Sequence, residues 1–264
     1  MQGKWERTLY GERGLIMTLS IVKIATDPHE QMNGRALIQV SAETGDNCIV
    51  LYPGTNGTYT AAEAKEVFMN FGPEDWVIQQ NEISQGGGIM RAAAERGLSV
   101  IFNPAPLTQG ILDEFPFEKV TILVVNEHEG EDLYRELGGK KNLKGLDLAS
   151  ELLNHFRSTH GIVLTLGGEG VVAKFRHQDK LRDFIVPSKK VDVKDTTAAG
   201  DTFVGYFLST FLREQKLDYF TRVQYSLEEA TVASSIAIQR EGSMISVPTL
   251  SEVQQVRMTE QETR

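Results

Sequence analysis

The stretch Asp195–Phe203, DTTAAGDTF, sets two carboxylates around a run of small residues and leads directly into an apolar, aromatic-rich helical pattern. Small residues ahead of a helix let backbone approach a ligand closely, and first-turn N–H groups have no carbonyl of their own helix. With the helix dipole, such amides make an anion site suited to phosphate. An acid at that helix start, Asp201, would stand beside a phosphoryl group in transfer, where it could take the proton of an attacking hydroxyl. The local pattern reads equally well as a first-turn acid favoured by the dipole.

Three further stretches bear on that choice. LTLGGEGVV puts Gly167, Gly168 and Gly170 between two apolar strands, a turn that could wrap a nucleotide or simply close a hairpin. VVNEHEGE puts Asn126 and Glu129 just past the carboxyl end of a strand, where open α/β sheets bind ligands. In isolation the same pattern is a helix N-cap with acids in the first turn. REGSMISVP, Arg240–Pro248, is turn-rich. No G-x-x-x-x-G-K-[ST] loop and no G-x-S-x-G elbow occurs. GGGIMRAA, Gly86–Ala93, lacks the Rossmann glycine spacing and reads as a helix entrance, which argues against a carbonyl-reducing Rossmann enzyme. The five histidines, His29, His128, His155, His160 and His177, show no metal-ligand spacing.

Elements that would position these residues follow from periodicity. ALIQV (Ala36–Val40) and CIVLY (Cys48–Tyr52) read as strands joined by a Thr-Gly-Asp turn. Thr60 and Glu63 have capping-box spacing ahead of a helix, and a second helix closes at Gly97. TILVV and GIVLTL are apolar throughout, as strands buried on both faces are. Strands alternating with helical patterns imply a layered α/β fold, with a mainly parallel sheet flanked by helices. The polar residues 257–264 read as a frayed tail. At 264 residues the chain can bury a large core, and its net charge of -9 disfavours nucleic acid and anionic membrane as partners. The single Cys48 excludes an intrachain disulfide and fits a reducing compartment, cytoplasm or nucleus. The N-terminus has charges and glycines where a signal peptide needs apolar residues.

Taken together and in order, these segments resemble the ribokinase-like carbohydrate kinase family. DTTAAGDTFVGYF is similar to that family's C-terminal signature. NPAP (Asn103–Pro106), NEHE (Asn126–Glu129), TLGGEG (Thr165–Gly170) and EGSMISVP follow its ribokinase branch, as does ALIQVSAETGDNCIVLYPGTN. The resemblance runs from about Gly34 to Val253. It implies a three-layer α/β domain over 34–256, with part of a small β lid within 36–52 that pairs two copies. It also implies transfer of phosphate from ATP to a sugar's primary hydroxyl, giving ribose 5-phosphate from ribose. Fructokinase or nucleoside kinase activity is the near alternative.

The resemblance assigns residues as well. Asp201 would be the base and touch the sugar, while Ala198, Ala199, Gly200 and Asp201 would supply the anion hole. Asn126, Thr165, Leu166, Gly167, Gly168, Glu169 and Gly170, with Gly200 and Asp201, would hold ATP, and Thr231 falls beside adenine. Glu129 completes an N-x-x-E pattern associated with Mg²⁺, held through water. Glu82 matches a contact to the sugar hydroxyls. Asp195 and Thr197 on one loop, and Ala237, Arg240, Gly242 and Ser246 on another, match a K⁺ site beside the anion hole. The resemblance departs at residues 1–33. There the family's opening strand, its Asn/Asp-rich sugar motif and its Gly-Gly-Lys-Gly-x-Asn segment are not recognisable. The chain therefore reads as N-terminally shortened, with half of the sugar site missing and a sheet edge exposed. A homologue that binds nucleotide without phosphorylating sugar is the second expectation.

Overall fold

The computed structural model describes residues 34–40 and 47–262, which divide into two compact units, one up to Val120 and one from Thr121.

In the first unit, β1 (Arg35–Val40) and β2 (Asn47–Tyr52) pair antiparallel, with Leu37 opposite Val50. The turn expected at Thr44–Asp46 lies outside the described residues. A 3-10 turn at Gly54–Thr58 leads to α1 (Ala61–Phe68). The Thr60 hydroxyl accepts the Glu63 amide, and the Glu63 carboxylate accepts the Thr60 amide, which is the reciprocal cap that the spacing predicts. Then follow β3 (Trp76–Gln80), α2 (Gly86–Glu95), β4 (Ser99–Asn103) and the single turn α3 (Ile111–Glu114). β3 and β4 are parallel, with Trp76 opposite Ser99. Val100, Ile101 and Phe102 are wholly buried, and Phe102 stacks on Phe115 at 4.7 Å.

The second unit holds β5 (Ile122–Asn126), α4 (Glu127–Glu136), α5 (Gly145–His155), β6 (Gly161–Thr165), β7 (Val171–His177) and β8 (Lys180–Val186). Three helices end it: α6 (Ala199–Arg213), α7 (Tyr219–Ala237) and α8 (Leu250–Glu262). β5 and β6 are parallel, whereas β6–β7 and β7–β8 are antiparallel. Ile122–Val125 and Ile162–Leu164 are buried on both faces, as their unbroken apolar runs require. The six-stranded sheet has the order β3-β4-β5-β6-β7-β8. Among the described residues β3 is an end strand, and Ile78 at its centre is 45% exposed.

Two elements depart from expectation. β8 has little apolar pattern because only Phe184 and Val186 are buried along it. Its hairpin turn uses Gln178 and Asp179, both at positive φ, in place of the glycine that usually announces such a turn. The frayed tail expected from residue 257 is instead helical through Glu262. Arg257 anchors it, donating to the Tyr225 carbonyl at 3.2 Å and the Glu228 carboxylate at 3.1 Å, with its guanidinium over the Tyr225 ring.

Candidate active site

In the second unit the parallel register sets Asn126 directly opposite Thr165, so β5 and β6 end side by side. Thr165 in turn faces Val171, and Val171 faces Val186. One edge of the sheet therefore carries the start of α4, the loop after β6 and the exit of β8. The loop is a tight 3-10 turn at Gly167–Glu169, closed by Leu166 N–H donating to the Gly170 carbonyl at 2.8 Å. Gly167 and Gly168 face open space, so a ligand could lie against their backbone. The Ser188 hydroxyl donates to the Gly168 carbonyl and ties the chain leaving β8 to this loop.

Aromatic contacts set the direction of α6. Phe175 on β7 meets Phe207 at 6.3 Å, and Tyr219 bridges Phe211 and His177 at 5.8 and 4.1 Å. Moving from Phe207 to Phe211 along α6 thus follows β7 toward His177, and the helix start points to the edge that bears Thr165. Ala198 enters α6 in the left-handed conformation, φ 59°, a strained choice for a residue with a Cβ. Ala199 N–H donates to the Thr196 carbonyl at 3.2 Å, and the Ser234 hydroxyl of α7 donates to the Ala199 carbonyl at 3.0 Å. Gly200 looks onto open space and Asp201 is exposed. The turn is locked in place while its outer face stays open, which suits an anion at the amides.

Asn126 and Glu129 form a capping box. The Asn126 side-chain oxygen accepts the Glu129 amide at 2.8 Å, and the Glu129 carboxylate accepts the Asn126 amide at 2.9 Å. Burial pushes the Glu129 carboxyl above its ordinary value, against the lowering effect of the Asn126 N–H. The pattern is a helix cap and still leaves a carboxylate oxygen for other work.

The two loops expected around K⁺ are joined through Asp195. Its carboxylate accepts the Thr197 amide and the Gly242 amide, each at 2.9 Å. The Thr197 hydroxyl and amide, then the Gly242 amide, hold its carboxyl below the ordinary value. The Arg240 guanidinium donates to the Ser246 carbonyl at 3.4 Å and to Glu252 at 2.5 Å, while Ala237 and Ser246 are buried. Thr231 is buried within α7 with its hydroxyl on the Leu227 carbonyl. Glu82 belongs to the first unit, exposed on the loop after β3. Asn81 beside it is bonded to the Ala105, Pro106 and Thr108 region. Among the described residues no three His, Cys, Asp or Glu side chains converge as a metal cluster. Ser188 and Ser234, which fix the two halves of this edge, carry no signal in the sequence.

The fold and this edge define an α/β protein that carries an open glycine loop and a helix start on one rim of the sheet. Residues 19–250 match the family described as pfkB family carbohydrate kinase, and the chain belongs to that family. Within it the chain is ribokinase-like. It is 33% identical over 222 residues to a ribokinase of Schizosaccharomyces pombe, covering 83% of this chain and 66% of that one. A Staphylococcus aureus ribokinase is 32% identical, covering 91% of this chain and 74% of the relative. A Thermotoga maritima ribokinase structure matches with TM-score 0.69 at 30% identity, over 85% of this chain and 69% of that chain. A Cryptococcus neoformans ribokinase structure in complex with ADP matches with TM-score 0.68 at 30% identity, over 86% and 72%.

Proposed function

We propose that this chain transfers the γ-phosphoryl group of ATP to the primary hydroxyl of a sugar, ribose in the first instance. The observation that carries the reading is the shared edge: the open Gly167–Gly168 backbone and the α6 start belong to one rim of one unit. The Cryptococcus relative is in complex with ADP, which supports an adenine nucleotide as a ligand of this chain. Asp201 takes the hydroxyl proton as the sugar oxygen bonds to phosphorus and the bond to the ADP oxygen breaks. Charge spreading over the phosphoryl oxygens is met by the amides of the Ala198–Gly200 turn other than that of Ala199, which is bonded to the Thr196 carbonyl. Glu82 would hold sugar hydroxyls, and a homodimer through β1 and β2 is supported by exposed Leu37, Val50 and Tyr52.

The residues present fit Mg²⁺, because the Glu129 carboxylate keeps one oxygen beyond its Asn126 cap and, partly desolvated, gains from a nearby cation whose water it could hold. Bound there, Mg²⁺ would neutralise charge on the nucleotide. A K⁺ beside Asp195 is the second proposed cation: the carboxylate oxygen that accepts the Gly242 amide keeps a lone pair for it, whereas the Ser246 carbonyl already accepts the Arg240 guanidinium. No helix among the described residues is long and apolar enough to cross a membrane.

Asp201→Asn tests the central assignment. Ribose phosphorylation should fall about a thousandfold while ATP affinity in calorimetry stays within about twofold. Equal loss of turnover and binding would remove Asp201 from the role of base. ATP binding by the unsubstituted chain with no turnover of ribose, fructose or adenosine would leave a nucleotide-binding homologue.

A further inference from the structure

The opposite edge of the second unit holds a cavity of about 760 Å³ between the end of α5, the start of β6 and the β7–β8 turn. It is lined by Arg157, Arg176 and Lys180 and by His160 and His177, against one carboxylate, Asp179. Three permanent cations and two imidazoles meet here on a chain whose net charge is -9. The position is remote from the kinase rim, since β7 runs from Val171 at that rim to His177 at the cavity, about 20 Å of extended strand.

Two of these groups are held in place, Arg176 and His177. The Arg176 guanidinium donates to the Arg157 carbonyl at 2.7 Å and to the Leu153 carbonyl, and its buried Nε has no hydrogen bond among the described residues. His177 stacks on Tyr219 at 4.1 Å and 8°. Lys180 leaves the left-handed Gln178–Asp179 turn, paired in register with His177. Part of His160 reaches solvent, yet desolvation and then the neighbouring His177 and Arg176 hold its imidazole below the ordinary value. Burial is the larger cause, and the neighbouring cationic groups act in the same direction.

We propose that this cavity binds a small phosphorylated anion at a second site, apart from the kinase centre. Guanidinium groups match the oxygens of phosphate, and the volume suits a molecule of nucleotide size or smaller. The proposal does not depend on the kinase reading.

Pyrophosphate, titrated into the full chain at constant ionic strength, is the probe, read by the ring resonances of the histidines. His160 and His177 should shift and saturate together. Arg157→Ala with Lys180→Ala removes two exposed side chains, leaves the Arg176 bonds intact, and should weaken the response at least tenfold. Lys180→Gln alone, on the exposed turn, should weaken it about threefold. His128, beside Asn126, reports separately on the kinase rim. A response at His128 alone, one that survives the double substitution, or one matched by sodium chloride or by polyglutamate at equal charge would overturn the proposal.

Discussion

Gly170 and Gly200 both belong to the rim proposed as the kinase centre, and different physics holds each. Gly170 has φ 106°, and an added Cβ would overlap the Val186 carbonyl oxygen and the Ser188 amide. Gly170→Ala should therefore cost about 3 kcal/mol in urea unfolding, from backbone strain and overpacking. Gly200 has helical backbone and open space where its Cβ would go. Gly200→Ala should leave stability unchanged or raise it by up to about 1 kcal/mol, while blocking the phosphate approach and lowering turnover about tenfold or more. Stability lost at Gly200, or turnover kept, would contradict the open anion turn. The open glycine turn and the small-residue helix start were legible as local structure, because backbone left bare in this way is spelled in small residues. Ser188 and Ser234 were not, because their partners Gly168 and Ala199 lie 20 and 35 residues away. The N-x-x-E spacing was legible twice over, and the cap is the part that the side-chain bonds bear out.

At the level of elements, α6 is only as well placed as its packing on α7 and α8. Glu229 of α7 has no exposed side-chain surface, accepts the Thr210 hydroxyl at 2.7 Å and the Arg213 guanidinium at 2.6 Å, and lies 3.9 Å from Arg257 of α8. One buried carboxylate thus joins three helices. Glu229→Ala leaves two guanidinium groups without it and should cost about 3–5 kcal/mol, the usual range for breaking a buried pair from one side. Glu229→Gln keeps the shape and a bond to Thr210 and should cost less than half as much. Urea unfolding of the two variants tests this, and equal costs would show that packing alone matters. No window of the sequence announces this network, since Glu229 in a helix pattern looks like a solvent-facing acid. The same limit hid β8, whose polar face is exposed, and α8, whose length depends on Arg257 reaching Tyr225 and Glu228. The buried strands were legible because burial on both faces leaves an apolar run that nothing else explains.

For the molecule as a whole, buried hydroxyls set a limit at alkaline pH. Tyr206 donates to the Pro248 carbonyl at 2.6 Å and is pushed up to about 12, first by burial and then by the carboxylates of Glu229 and Glu252. Burial raises Tyr219 to about 12 as well, within rings from β7, α6 and α7. Both folded-state values lie above the ordinary 10.0 that the unfolded chain has, so the neutral phenols stabilise the fold fully below pH 10. That contribution is lost as pH rises from 10 toward 12, where ionised tyrosines are tolerated better by the unfolded chain. Lysines lose their charge over the same range and add repulsion to a chain already at -9, so the total slope does not isolate the tyrosines. Tyr206→Phe with Tyr219→Phe does. The double variant should be less stable than the parent at pH 8, by about 1 kcal/mol for the lost Pro248 bond. Its urea midpoint should then fall less steeply between pH 10 and pH 11.5, so that the two curves meet above pH 10 and cross. Parallel curves over that interval would mean that both phenols reach solvent before the fold opens, and that the aromatic layer under α6 is looser than its ring contacts imply.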